Sequence, residues 1–182
     1  MKVLCTDYAD IAVPAERAFS FVTDVSRWPL WFSPVVCAQQ PQDLPLALDE
    51  ELLLCLHTGR RRWQETFEIT RFLRNAFFSL EGSFSAARRI DFRFEQRAAQ
   101  TRVACSIGYP VFGGIIPALL DATLARPRVR RQLRESVTRL KGLLEEPAES
   151  ASFAESFIEE LHASAAAPEQ EPVSLTQAAG AV

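Results

Sequence analysis

The chain has only two histidines and two lysines among 182 residues. It has no apolar run near the ~20 residues that a membrane-spanning helix requires. Its four cysteines, Cys5, Cys37, Cys55 and Cys105, make no CxxC or CxxH pair, which argues against a zinc site. There is no GxSxG elbow and no Gly-rich phosphate loop. His162 lies near the C-terminus, so His57 is the one histidine left to build a catalytic triad or a metal set. No metal and no cofactor is expected. The opening Met1–Asp7 meets acid too early for a signal-peptide core, so a cytoplasmic protein is expected. Thiols in a reducing compartment stay free, and buried free cysteines are expected here.

What is present is the balance of a globular protein, 48% hydrophobic and 24% charged. The length suits one domain of about 100–200 residues plus a tail. The net charge of −3 conceals an asymmetry. Residues 147–182 carry six Glu and no Lys or Arg, whereas residues 1–146 hold 17 acidic and 20 basic residues. That small excess, almost all Arg, is too weak to predict nucleic-acid binding. The chain divides into a domain at 1–146 and an acidic tail at 147–182 rich in Ala, Glu, Ser and Pro. The tail has too few large apolar residues to order itself, except at 152–162. There Phe153, Phe157, Ile158 and Leu161 recur at helical spacing and could form a short helix.

Residues 3–13 read as a strand that Pro14 stops. Pro14 and Glu16 suit the first turn of a helix whose stripe is Ala18, Phe19, Phe21 and Val22. A second short helix or turn spans Asp24–Phe32, with Asp24 or Ser26 as its cap. Strands then follow at Val35–Gln40, Leu48–Thr58, Arg61–Arg71, Asn75–Gly82, Arg89–Arg97 and Thr101–Tyr109. Leu52, Leu54 and Leu56 share one face. So do Trp63, Glu65, Phe67 and Ile69; then Ile90, Phe92 and Phe94; then Val103, Cys105, Ile107 and Tyr109. Such alternation marks antiparallel strands with one face covered and one wet. From Gly113 the period becomes helical. Ile115, Ile116, Leu119, Leu120, Thr123 and Leu124 make one stripe; Leu133, Val137, Leu140 and Leu144 make another. Pro127 should kink or break the helix. Arg128–Glu146 spans roughly 28 Å, enough to cross a small sheet. Arg126, Arg128, Arg130, Arg131 and Arg134 read as a solvated face, or as an anion-binding patch.

The opening Ile11-Ala12-Val13-Pro14-Ala15-Glu16-Arg17-Ala18-Phe19, followed by Asp24, Trp28-Pro29 and Trp31, resembles the START/SRPBCC superfamily. Trp63 within a strand, Thr101-Arg102-Val103, and Leu140-Lys141-Gly142-Leu143-Leu144-Glu145 at the end also match. The resemblance covers residues 3–146 and is closest to the bacterial polyketide cyclase/dehydrase and lipid-transport group. It implies an α+β helix-grip fold: a curved antiparallel sheet of about seven strands around a long C-terminal helix, with two short helices after the first strand. It also implies a cavity for a lipid, sterol, polyketide, quinone or hormone. Some members are aromatase/cyclases, and many have no demonstrated chemistry.

On this reading the ligand-facing candidates are Trp31, Leu54, Leu56, Trp63, Glu65, Phe67, Phe92, Phe94, Tyr109, Leu119 and Thr123. Aromatic residues that line a cavity and those that fill a core look alike in sequence. Tyr109 offers a phenol that needs a partner when buried. Glu65 is the odd polar residue on its face; a buried carboxylate there must pair, take a proton or meet a ligand, with Arg61 or Arg102 as candidate partners. His57 ends a strand beside the Arg60–Arg62 turn, as a surface residue or a general acid/base. Trp28 and Trp31 read as a plug or a gate, and Gly113-Gly114 as a hinge or an ordinary loop. The expected function is binding of a small hydrophobic molecule, with Glu65 and Tyr109 fixing its orientation. The expected partner is that molecule, with neither nucleic acid nor stable membrane insertion. A polyketide cyclase/aromatase or dehydratase working in the same cavity is the alternative. A further one is an interaction module using the tail or the arginine face.

Overall fold

The computed structural model describes residues 2–40, 45–58, 61–83, 85–110 and 121–146. Strand β1 (Lys2–Ile11) leads into helix α1 (Ala15–Thr23), a 3-10 turn (Val25–Arg27) and helix α2 (Trp28–Trp31). Strands β2 (Val35–Gln39), β3 (Glu51–Thr58), β4 (Arg61–Leu73), β5 (Phe77–Gly82), β6 (Ser85–Arg97) and β7 (Gln100–Pro110) follow. After one wide helical turn at Asp121–Ala125, helix α3 runs from Arg126 to Glu145. The strands form one antiparallel sheet in the order β1-β7-β6-β5-β4-β3-β2. Consecutive strands from β2 to β7 pair with their neighbours, and β1 completes the sheet beside β7. The curled sheet with a long C-terminal helix is the helix-grip fold.

The period-2 faces read from the sequence are the buried ones. Leu52, Leu54, Phe67, Ile69, Phe78, Leu80, Phe92 and Val103 all lie inside, in one core cluster with Leu133, Val137, Leu140 and Leu144 of α3. A bulge between Ile69 and Arg71 breaks the alternation in β4. It lets both Ile69 and Phe72 turn toward the core, which strict alternation would forbid. The strand predicted from Asn75 starts at Phe77 because Asn75 holds the preceding turn at φ 59°, a conformation asparagine tolerates.

Distant side chains tie the helices to the sheet. Ala15 N–H donates to Gln96 Oε1 (2.8 Å) and Ala12 N–H donates to Glu145 Oε1 (2.8 Å). These bonds fasten α1 to the β6 end and α3 to the β1 end. No side chain caps the turn after α1, contrary to the expectation for Asp24 and Ser26. Asp24 instead accepts from Ser26 Oγ (2.5 Å) and Arg27 Nε (2.7 Å). Pro127 sits in the first turn of α3, where its missing N–H has no intrahelical partner to lose. Arg128, Arg130, Arg131 and Arg134 are exposed, and the last two pair with Glu135 (2.8 Å) and Asp7 (3.5 Å). Among the described residues, no helix is long and apolar enough to cross a membrane. The tail, its expected helix at 152–162, Gly113-Gly114 and Leu119 lie outside the described residues.

The cysteines divide in two, which corrects the expectation of four free thiols. Cys37 and Cys55 face each other across β2 and β3 and form a disulfide. Cys5 and Cys105 are free and buried. Burial, with Asp91 and Asp7 nearby, pushes the Cys105 thiol well above its usual 9.0 and keeps it protonated. The disulfide ties edge strand β2 to the sheet across a sequence separation of 18. Closing a loop of that size constrains the unfolded chain by roughly 3 kcal/mol. The double variant C37S/C55S is therefore expected to lose about that much stability in urea unfolding, and reduction of the native chain to lose the same.

Arg102 does not serve Glu65. It lies on the outer face, where Nε and Nη2 donate to the two oxygens of Asp10 at 2.8 Å each. Its guanidinium also sits 4.1 Å from the Tyr8 ring centroid. The hydrogen bond from Arg102 holds the Asp10 carboxyl below its usual 3.8. A carboxyl depressed by folding adds stability above its unfolded pKa and loses it as pH falls through the folded one. D10N is therefore expected to lower Tm slightly at pH 7, where the exposed pair contributes, and to converge on the wild type below about pH 4, as thermal melts across that range would report.

Candidate functional site

The concave face has two unlike ends. Toward α1 and α2 it is packed with rings. Phe92 lies 5.6 Å from Trp28, 5.9 Å from Trp31, 5.6 Å from Phe32 and 4.8 Å from Phe78, centroid to centroid. Phe19 adds edge contacts to Phe72, Phe78 and Phe94 at 5.6, 6.1 and 5.2 Å. Trp28, Trp31, Phe32, Phe78 and Phe92 are fully buried. Trp28 Nε1 donates to Val22 O (2.8 Å), but among the described residues the buried Trp31 Nε1 has no partner. Of the residues expected to face a ligand, Trp31, Phe92 and Phe94 thus belong to this packed end.

The other end carries an ion pair, and Trp63, Arg88 and Tyr109 at its rim are half-buried above the buried Leu52, Leu54, Leu56 and Phe67. Register sets Leu54 opposite Glu65, Leu56 opposite Trp63 and Leu52 opposite Phe67. Glu65 is 1% exposed, while Trp63 and Tyr109 are half-buried. Arg88 precedes Ile90 by two residues and so shares its inward face. The Arg88 guanidinium is ion-paired with Glu65 Oε2 and lies 5.1 Å from the Trp63 ring centroid. Trp63 Nε1 donates to the same oxygen at 3.3 Å. Gly108 pairs with Arg89, which sets Tyr109 beside Arg88 in the register.

Burying a carboxylate is costly, so its partner must be close and well aimed. Arg88 supplies the counter-charge while its own side chain stays 39% exposed. The pair is thus buried at one end and open at the other. Among the described residues, Glu65 Oε1 has no hydrogen-bond partner. It lies against Gly82, where an added Cβ would overlap it. A side chain at position 82 would have to push the Glu65 carboxylate aside.

Two other candidates do different work. His57 is half-buried, with Nε2 2.7 Å from Ser33 O and its backbone N–H on Pro34 O at 2.8 Å. Its ring pins the link between α2 and β2, which leaves that nitrogen committed to structure. Thr123 is exposed on the turn before α3. Among the described residues there is no cluster of His, Cys, Asp and Glu suited to a metal ion.

A second concavity was not legible in the sequence. It is an open cleft of about 1050 Å³ between α1, the 3-10 turn, the end of β2 and the β4–β5 turn. Phe19, Leu46, Phe72, Glu16, Asp24 and Arg74 are among its walls. They come from segments far apart in sequence, and no local pattern brings them together. None of the expected ligand-facing residues lines it.

A family model described as polyketide cyclase / dehydrase and lipid transport matches residues 5–145. No match was found among curated proteins. Solved structures share the architecture. A START superfamily protein from Mycobacterium smegmatis superposes with a TM-score of 0.61 at 13% identity, covering 78% of this chain and 97% of that one. The Zhui aromatase/cyclase from Streptomyces sp. R1128 gives 0.58 at 14% identity, over 80% and 94%. A Staphylococcus aureus protein of unknown function gives 0.64 at 7% identity, over 80% and 94%. At such identities the likeness establishes the fold alone.

Proposed function

Starting from a chain that belongs to the polyketide cyclase/dehydrase and lipid-transport family, we propose that it binds a small hydrophobic molecule at the half-covered end of its concave face. Lipids, polyketides and aromatic metabolites are the candidate classes, and the chain acts as a carrier, sensor or sequestering protein. Leu54, Leu56 and Phe67 supply an apolar floor. Trp63 supplies a ring to stack on, and Glu65 and Tyr109 set the orientation. Burial of apolar area at about 25 cal/mol per Å² provides most of the affinity, and the few polar groups provide the fit.

The observation that carries this reading is the position of Glu65: a carboxylate with one open oxygen, enclosed among apolar side chains. A plain core would not keep such a group, because it costs stability that an apolar residue would not. The same open oxygen favours a second reading, a cyclase or dehydratase in which Glu65 accepts a proton. E65Q and Y109F separate the two. Loss of turnover with unchanged affinity supports chemistry; weaker affinity alone supports carriage.

Native mass spectrometry of the freshly purified full chain tests ligand binding itself. The expected spectrum contains an adduct that leaves as a discrete small molecule on denaturation. A bare chain that also fails to enhance the fluorescence of Nile red would count against ligand binding.

A further inference from the structure

The chemistry of Glu65 narrows the ligand class. A carboxylate is an acceptor only, with about four lone-pair positions. Oε2 takes the Arg88 guanidinium and the Trp63 N–H; among the described residues, Oε1 takes nothing. The residue is 1% exposed, so bulk water does not compensate. A buried acceptor left without a donor costs about 1–3 kcal/mol, and a charged one more. Gly82 leaves room for Oε1 itself, because an added Cβ would fall where that oxygen lies.

We propose that Glu65 is a specificity determinant that selects neutral ligands carrying a hydroxyl or N–H donor, such as phenols, enols or alcohols, over their ethers and over carboxylates. This rests on the hydrophobic-ligand reading above and says which hydrophobic molecules it applies to. A phenolic or alcoholic O–H gives Oε1 the bond it lacks. A methyl ether of the same skeleton buries similar apolar area but offers an acceptor to an acceptor. An anionic ligand fares worst. Arg88 is already matched by Glu65, so a further carboxylate enters a low-dielectric space with no counter-charge.

The test uses three probes with one skeleton: 1-naphthol, 1-methoxynaphthalene and 1-naphthoate. Each is titrated calorimetrically into the full chain and into E65Q at pH 7. The wild type is expected to bind the naphthol about tenfold or more tightly than its ether, the difference a hydrogen bond to a charged acceptor supplies. Naphthoate is expected to bind most weakly. The side-chain amide introduced by E65Q can accept or donate, so that variant should serve the ether as well as the naphthol and bring the two within about threefold. Equal binding of naphthol and ether by the wild type, or naphthoate as the tightest probe, overturns the selection. Failure of all three to bind the wild type overturns the hydrophobic-ligand reading itself. Should E65Q not fold, the wild-type ranking decides alone.

Discussion

Replacing Arg88 by methionine is expected to destabilise the fold by about 3–5 kcal/mol at pH 8, far more than replacing its partner by glutamine. The asymmetry follows from burial. The Glu65 side chain is fully enclosed and the Arg88 side chain is 39% exposed. Without Glu65, the guanidinium can turn to solvent. Without Arg88, the carboxylate has only the Trp63 N–H and nowhere to go. Urea unfolding of R88M and of E65Q at pH 8 checks that order. A stability of R88M unchanged from wild type would mean that Glu65 is not enclosed.

The second large effect is Phe92→Ala, expected to cost about 3–5 kcal/mol. Phe92 is fully buried at the centre of the ring cluster, with Trp28, Trp31, Phe32 and Phe78 around it. Those neighbours are themselves held in place, so the void cannot close. Trp63→Ala is the informative contrast. Trp63 is larger but half-buried, and it stacks on Arg88 rather than on other rings. Its removal is expected to cost about 1 kcal/mol, the scale of an exposed cation–π contact with partial apolar burial, while weakening ligand binding severely. Chemical denaturation and probe titration on both variants would separate the two ends of the concave face. Comparable stability losses would show that both ends are core.

Much of this arrangement was legible in the sequence. Inward-facing positions on β3, β4, β6 and β7 follow from strict alternation of apolar residues, because one face of each strand is covered by helices. Glu65 stood out as the single acid on such a face. Its partner did not. The expected strand began at Arg89, yet β6 begins at Ser85, and Arg88 shares parity with Ile90, Phe92 and Phe94. Extending that alternation by one residue would have found it. Parity also places Arg102 with Tyr8 and Asp10 on the outer face, away from Glu65.

Other features depend on register, which no local pattern records. The Cys37–Cys55 pair arises because β2 shifts register between Val35 and Cys37, so that Cys37 meets Cys55. Phe72 joins the core only through the β4 bulge. The division of the concave face into a ring-packed end and a polar end was equally hidden. Phe92 and Trp63 occupy equivalent positions in their alternations, and only the path of α1 and α2 decides which of them is covered.

The most direct measurement is a ¹⁵N-resolved NMR titration of the full chain with 1-naphthol. Shifts should concentrate at the Trp63 indole and at the amides of Leu54, Leu56, Glu65 and Tyr109, with the Phe92 and Trp28 signals little moved. Shifts concentrated instead around Phe19, Leu46 and Arg74, in the outer cleft, would contradict binding at the Glu65 end.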